Sequence, residues 1–255
     1  MVTNNLVKKI QAVDNGQKFG SFGKDAKRLF IEETSEHIGP ILKYLDTRGP
    51  LDKIKICDLG GGNGILSKEI LKEVGDKYPQ LSIDILDIDK SKFGYDNPRI
   101  NYKEYDARCS FKEKYDLIVA RCLLHYNSPN EQRKIFKNIS DGLKPDGLAV
   151  IIQPIPYNKD KLKVQRLYDS FSKIKKSNKK YWLNLSELTV IIGSKGLKIT
   201  NIQEHPKKYS LNGFYKKRYS LNETELKHIK RYLSSEIIEI PTYIIQLKGG
   251  KIKNE

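Results

Sequence analysis

The chain has 255 residues but only three cysteines, one tryptophan and one methionine. Cys57, Cys109 and Cys122 show no C-x-x-C spacing, which argues against a disulfide framework and against a zinc site. No apolar run approaches the about 20 residues of a membrane-spanning helix, and residues 1–18 lack the apolar segment of a secretory signal. These absences predict a reduced, cytoplasmic globular protein with no membrane span and no bound metal.

Positive charge is abundant and unevenly distributed. The formal net charge is +16; residues 155–255 hold 22 Lys+Arg against 9 Asp+Glu, a difference of +13, and residues 1–154 hold 25 against 22, a difference of +3. A basic surface attracts nucleic acid, acidic membranes or anionic metabolites. A general enrichment in Lys, Ile and Asn produces the same excess, so charge alone leaves nucleic-acid binding and composition bias both open.

A glycine-rich turn, 57–64 (CDLGGGNG), joins the apolar run 54–56 to the helical pattern that starts at Ile65. Glycines at every second position let a bulky ligand approach the backbone. A dinucleotide fingerprint requires a small residue at position 65, which is Ile65, and no Gly-Lys-Ser/Thr follows for a phosphate-binding loop. The turn therefore indicates a different ligand, the alternative being a tight turn that binds nothing.

Strand and helix patterns alternate from residue 54 onward. Alternating apolar strands and amphipathic helices predict a doubly wound, mostly parallel sheet with right-handed crossovers. Helices are also expected before the first strand, at 4–13 and 24–46, with the loop 19–23 between them. The predicted strands are 54–58, 81–87, 100–105, 115–120, 148–153, 197–204 and 237–247, and the predicted later helices are 64–74, 129–142, 159–176, 185–194 and 223–234.

Asp58-x-Gly60-x-Gly62-x-Gly64 resembles the first motif of the class I S-adenosylmethionine-dependent methyltransferases. The likeness covers about residues 50–153 and is strongest to the small-molecule branch of that family. It implies a seven-stranded Rossmann-like methyltransferase fold with N-terminal helices and a basic C-terminal lid region. The implied organisation is an N-terminal helical cap at 1–48 and a methyltransferase domain at 49–255, in which 154–182 is a substrate lid insertion.

The resemblance implies a set of cofactor-binding residues for S-adenosylmethionine. The glycine turn packs under the cofactor, Asp58 holds its amino group, and Asp87 accepts hydrogen bonds from the ribose hydroxyls, with Asp89 as the alternative acid or a helix N-cap. An Asp followed by a small residue reads the adenine edge, although such an Asp also forms ordinary turns. The complete predicted set is Asp58, Gly60, Gly62, Gly64, Asp87, Ile88, Asp106, Ala107 and, bordering the cofactor, Arg121.

The segment Cys122-Leu123-Leu124-His125-Tyr126 resembles the wall of the methyl-transfer channel in this family. His125 is the candidate general base, since histidine titrates near neutral pH; the alternative is a structural hydrogen-bonding histidine. Tyr126, Tyr157 and Trp182 are candidate substrate residues; the alternative for each, favoured by the 15 tyrosines of the chain, is ordinary packing.

Two signatures of nucleic-acid methyltransferases are incomplete. Gln153-Pro154-Ile155-Pro156-Tyr157 lacks the adjacent prolines of amino-methylating enzymes and follows the wrong strand, while Cys122 lacks the preceding proline of a cytosine-methylating nucleophile. The sequence therefore favours methyl transfer to a small-molecule acceptor. RNA methylation through the basic C-terminal part is the alternative, and a binding protein that uses the cofactor only structurally is the third hypothesis.

Overall fold

The computed structural model describes residues 37–249, except 93–95, 177, 232 and 234. The predicted helix 4–13, the loop 19–23 and most of the predicted helix 24–46 therefore lie outside the described residues. The described chain begins with helix α1 (Gly39–Leu45), in which Pro40 occupies the first turn. Proline suits that position because the first N–H groups of a helix have no intrahelical partner.

The main sheet has seven strands in the order β3-β2-β1-β4-β5-β9-β6. Strands β1 to β5 pair in parallel, and β9 pairs antiparallel with both β5 and β6. This is the predicted doubly wound, mostly parallel sheet. The seven strands are β1 (Lys55–Leu59), β2 (Ser82–Asp87), β3 (Ile100–Glu104), β4 (Tyr115–Arg121), β5 (Leu143–Pro154), β6 (Leu197–His205) and β9 (Thr242–Gly249).

Helices cover both faces of this sheet, and two of them begin at capping residues that are recognisable in the sequence. Ser128 and Asn184 each cap a helix by accepting from the backbone of the Glu three residues later, which bonds back to the cap. These capping boxes satisfy amide groups that would otherwise lack partners. The described helices after α1 are α2 (Ile65–Val74), α3 (Pro129–Gly142), α4 (Lys161–Lys175), α5 (Leu185–Gly193), α6 (Lys216–Arg218) and α7 (Glu223–Lys230).

The prediction of one final strand over 237–247 is wrong. The structure has two strands there: β8 (Ile237–Glu239) pairs with β7 (Lys208–Ser210) in a separate two-stranded sheet, and β9 starts at Thr242. Pro241 stands between them, and a residue without an N–H interrupts a ladder. The helix predicted over 223–234 likewise ends earlier, at Lys230.

A third apolar core lies apart from the two cores that cover the faces of the sheet. It joins the apolar face of α4 and Trp182 to side chains from the chain between β6 and β9. We call the described residues of 161–182 and 208–240 the cap. The predicted lid, 154–182, therefore includes the first segment of the cap, whereas the second segment, 208–240, was not part of that prediction. No described helix is long and apolar enough to cross a membrane.

Candidate active site

The glycine turn joins the end of β1 to the start of α2. Gly60, Gly62 and Gly64 have φ angles of +71°, +56° and +74°, a left-handed conformation that glycine adopts at little cost. A Cβ atom on Gly64 would lie 2.5 Å from Cδ1 of Ile85, and one on Gly60 would lie 2.8 Å from Cδ1 of Leu123. At these two positions the protein's own side chains, rather than a ligand, already exclude a larger residue.

Asp58 is the penultimate residue of β1; its carboxyl group lies against Gly61 of this turn, and the residue is only 1% exposed. Its Oδ2 accepts a hydrogen bond of 2.7 Å from Oγ of Ser67, whereas its buried Oδ1 accepts none from the described residues. Burial raises the pKa of Asp58 to about 6, against the opposing effects of the Ser67 hydrogen bond and the Arg121 charge. A buried oxygen without a donor is unfavourable, and a ligand ammonium group would satisfy it.

Asp87 connects the end of β2 to the glycine turn. Its Oδ2 accepts from the backbone N–H of Gly62 at 2.8 Å, and its Oδ1 accepts from that of Asp89 at 2.9 Å. Each carboxylate oxygen has two acceptor sites, so one that already accepts from the backbone is able to accept a second hydrogen bond. Ile88 is half-buried beside it. Asp89, the alternative acid, accepts from both the backbone N–H and Oγ of Ser91, which is the geometry of a local turn.

Asp106 and Ala107 follow β3 and are positioned by other protein groups. The Arg108 guanidinium donates to both carboxylate oxygens of Asp106 and also contacts Glu131. Burial alone would raise the pKa of Asp106, but the hydrogen bonds from Arg108 lower it overall. The carbonyl of Ala107 accepts from the side chain of Asn138 at 2.9 Å. The predicted adenine contacts of this pair stay a prediction.

The segment after β4 packs against the glycine turn. Arg121, the last residue of β4, is half-buried, and its charge lowers the pKa of Asp58. Cys122 has a φ of +53°, an uncommon conformation for a residue with a side chain. Leu123 then packs against Gly60, so this turn brings the following residue pair, Leu124 and His125, beside the predicted cofactor site.

His125 is buried and held in one tautomer by Gln153. Oε1 of Gln153 accepts from the backbone N–H of Leu124 at 3.1 Å, which directs the amide Nε2 at Nδ1 of His125, 2.8 Å away. The Nδ1 atom therefore accepts and Nε2 carries the hydrogen. Burial, with the charges of Lys180 and Arg218, holds the pKa of His125 well below its usual value. The imidazole is neutral and presents a donor, and its predicted role as a base stays a prediction.

The cap covers His125 through aromatic contacts. The Trp182 ring stacks on the imidazole, with centroids 5.1 Å apart and planes within 1°, and the ring of Tyr126 lies 4.3 Å away on centroids. Tyr126 is 44% exposed. The hydroxyl of Tyr157 instead donates to Glu204 of β6 at 2.6 Å. A small cavity here is lined by Leu124, His125, Gln153, Ile155, Tyr181 and Trp182, among others.

Four residues of this region were absent from the predicted set. Ser67 supports Asp58, Gln153 orients His125, and Lys180 and Arg218 bring positive charge to the cap. Ser67 was detectable as a hydroxyl in the first turn after the glycine motif. Gln153 had no local signal, because its partner is 28 residues away, and the two cations were indistinguishable from the many surface lysines and arginines.

Comparison with known proteins agrees with this geometry. A family model described as a methyltransferase domain matches residues 30–200. The chain belongs to the methyltransferase domain family. The resemblance inferred from the glycine turn is thereby confirmed, as is the Rossmann-like methyltransferase fold with its seven-stranded, mostly parallel sheet.

Individual relatives are distant. The chain is 26% identical over 141 residues to the ribosomal protein L11 methyltransferase of Dictyoglomus turgidum, over 54% of this chain and 42% of that protein. It is also 26% identical over 141 residues to the hybrid PKS-NRPS synthetase buaA of Petromyces alliaceus. This match covers 49% of this chain and 3% of that protein. The chain thus spans well under two thirds of either relative.

The structural likeness extends further than the sequence likeness. The YcgJ protein of Bacillus subtilis superposes with a TM-score of 0.67 at 15% identity, over 85% of this chain and 99% of that one. At such identity the likeness concerns the fold alone.

Proposed function

We propose that this protein is a methyltransferase that binds S-adenosylmethionine and transfers its methyl group to a small-molecule acceptor. The observation that carries the proposal is the second carboxylate oxygen of Asp58, which is buried, has no donor among the described residues and lies under the glycine turn. The amino group of the cofactor's methionine part supplies the missing donor. Asp87, at the adjacent strand end, is positioned by Gly62 to receive the ribose hydroxyls.

When bound, the cofactor supplies an electrophilic methyl group on a sulfonium. The chain's own residues then need to bind, orient and exclude water, since proximity supplies much of the rate of such a transfer. Asp58 and Asp87 fix two ends of the cofactor, and Leu123 closes against the turn. The cap residue Trp182 and the imidazole of His125 shield the adjoining cavity from solvent. His125 serves here as a neutral hydrogen-bond donor through Nε2 that positions the acceptor.

The small size of the cavity beside His125 and Trp182 supports a small acceptor. Trp182 and His125 are 4% and 7% exposed, and the backbone N–H of Tyr181 donates to the carbonyl of His125 at 2.8 Å, which fixes the cap to the wall of the site. We assign residues 154–182 together with 208–240 as the substrate lid of a methyltransferase domain spanning 49–255. We also propose a reduced, cytoplasmic setting, which the three free cysteines support.

RNA remains the second candidate acceptor because of the +13 charge difference of residues 155–255. The deciding experiment supplies labelled S-adenosylmethionine with cell-extract small molecules and total RNA in parallel. We expect label in the small-molecule fraction, at a rate that changes little with salt. Label in RNA, with a steep loss as salt rises, would replace the small-molecule proposal. Absence of cofactor binding by calorimetry would overturn the methyltransferase proposal itself.

A further inference from the structure

The cavity beside His125 contains a buried donor without a partner. Nε1 of Trp182 has no hydrogen-bond acceptor among the described residues, and the side chain is 4% exposed. An indole N–H can only donate, and buried tryptophans usually find an acceptor. Trp182 also lines the cavity. A ligand that places an acceptor atom there would satisfy this group.

The His125 imidazole beside Trp182 offers a second donor, and the neighbouring Gln153 amide is already engaged. Nε2 of His125 carries a hydrogen because its Nδ1 atom accepts from Gln153. The amide oxygen of Gln153 is occupied by Leu124, and its nitrogen also contacts the carbonyl of Pro154. The amide nitrogen of Gln132 donates to the carbonyl of Asn127. The two remaining imidazole and indole hydrogens therefore favour a ligand with acceptor atoms.

Two cations of the cap add a positive potential to these donors. Lys180 is buried at 8% exposure, and its Nζ lies 4.3 Å from the ring centroid of Tyr126 and 5.5 Å from that of Tyr168. The guanidinium of half-buried Arg218 lies 6.0 Å from the ring of Tyr219. Both charges act on His125, where they disfavour the imidazolium. A positive potential at low dielectric attracts anions strongly.

We propose that the methyl acceptor carries a carboxylate, which accepts from the Trp182 N–H beside the His125 imidazole, within the positive potential of Lys180 and Arg218. This inference rests on the proposed function, because it names the chemical class of the acceptor at that same site. The carboxylate accepts from several donors at once, and charge-assisted hydrogen bonds are the stronger kind.

Trp182 is the chain's only tryptophan, so its fluorescence reports on this cavity alone. The first test titrates the wild-type protein, saturated with S-adenosylhomocysteine, with benzoate, phenylacetate and 4-hydroxybenzoate, and with the neutral amide of each acid. We expect at least one acid to change the Trp182 emission and to bind roughly 10-fold or more tightly than its amide. Equal affinities of acid and amide across the panel would overturn the proposal.

Variants of Lys180 then test whether this lysine supplies the positive charge that favours the acid. Lys180→Met should weaken binding of the preferred acid by roughly 10-fold or more, Lys180→Arg should largely restore it, and neither should alter binding of the amide. Lys173→Met, the same change at an exposed lysine of α4, is the matched control and should bind like the wild type. Unchanged acid binding by Lys180→Met would also overturn the proposal. The acid–amide comparison needs no variant, so it holds even if Lys180→Met fails to fold.

Calorimetry with S-adenosylmethionine separates this inference from the proposed function. If the cofactor binds and no acid is preferred, only the carboxylate inference fails. If an acid is preferred and the cofactor does not bind, the methyltransferase proposal fails and the anion site stands.

Discussion

Oγ of Ser67 donates to Oδ2 of Asp58 at 2.7 Å and leaves Oδ1 of that carboxylate without a donor among the described residues. One oxygen is thus fixed by the first turn of α2, and the other lies unpaired beside Gly61 of the glycine turn. Burial raises the pKa of Asp58 to about 6. The buried carboxyl group is therefore partly protonated near that pH. A cationic ligand group should reverse that effect by favouring the ionised form.

Binding of S-adenosylmethionine should strengthen as the pH rises from 5 to 7. The ammonium group pairs with ionised Asp58, so binding in this range releases a proton. Calorimetry in two buffers of different ionisation enthalpy measures that release. Asp58→Asn should abolish the proton release and weaken binding by about 10-fold or more, whereas Asp76→Asn, at an exposed position, should change neither. Proton uptake on binding by the wild type would contradict the assignment.

The same residue should lower the stability of the ligand-free protein at neutral pH. The folded pKa of Asp58, about 6, exceeds its ordinary value of 3.8, so the folded state binds more protons between these values and its stability falls as the pH rises through this window. We therefore expect Asp58→Asn to raise the melting temperature at pH 7.5 and to raise it less at pH 4. A lower melting temperature for the variant at pH 7.5 would contradict this expectation.

Asp87→Ala should weaken cofactor binding by about 1.5–3 kcal/mol, the range for hydrogen bonds to a charged group. The variant loses the ribose contacts and also releases the Gly62 amide that Asp87 holds. Calorimetry gives the affinity, and a thermal melt shows that the variant is folded. Wild-type affinity in a folded Asp87→Ala protein would remove Asp87 from the cofactor site.

Gly64→Ala should destabilise the fold by about 1–3 kcal/mol. The φ of +74° is unfavourable for alanine, and the new Cβ would lie 2.5 Å from Cδ1 of Ile85. Gly193→Ala is the matched control: no atom lies within 4 Å of the new Cβ in helix α5, so a neutral or slightly stabilising effect is expected. Urea unfolding at pH 7 measures both. Equal stabilities of the two variants would show that the turn is not strained.

Asp84 should stabilise the sheet at neutral pH and lose this contribution in acid. It is buried and accepts from Lys103 at 2.9 Å and from Tyr115 at 3.0 Å. Burial would raise the pKa of Asp84, but the Lys103 hydrogen bond and the lysine charges lower it below 3.8 overall. The stabilisation is therefore complete above pH 3.8 and disappears as the pH falls through the lower folded value.

Asp84→Asn should accordingly reduce the free energy of unfolding by about 1–3 kcal/mol at pH 7 and by less at pH 3. The control Asp141→Asn breaks an exposed pair with Lys137 on α3 and should cost less than about 0.5 kcal/mol. Denaturant titrations at the two pH values test both variants. A loss for Asp84→Asn that is the same at both pH values would exclude the electrostatic explanation.

The rate of methyl transfer should show no inflection from His125 between pH 6 and 8. Burial and two nearby cations hold the pKa of His125 well below 6.5, and its Nδ1 atom is engaged by Gln153. The measurement compares the pH profile of the wild type with that of His125→Gln. An inflection in this range that disappears in the variant would restore His125 as a general base.

Local sequence patterns predicted most of the sheet and the positions of the acids and glycines at its edge. Strand β1, the glycine turn and α2 are contiguous, so chain geometry alone places Asp58 beside Gly60 and Gly64. Asp87 follows from the same logic, because parallel neighbouring strands end at one edge. The prediction of a single final strand was wrong because the apolar pattern continues on both sides of Pro241. Such a pattern does not specify which sheet each half of the segment joins.

The sequence by itself determined the family, the alternation of parallel strands with helices and the acids near the strand ends, because these depend on residues adjacent in the chain. Only the tertiary structure decided what covers the site. The cap unites 161–182 with 208–240, Gln153 reaches His125, and Lys180 becomes buried beside Tyr126. Such contacts form between segments far apart in the chain, where burial and packing, rather than local propensity, select one side chain from many of the same type.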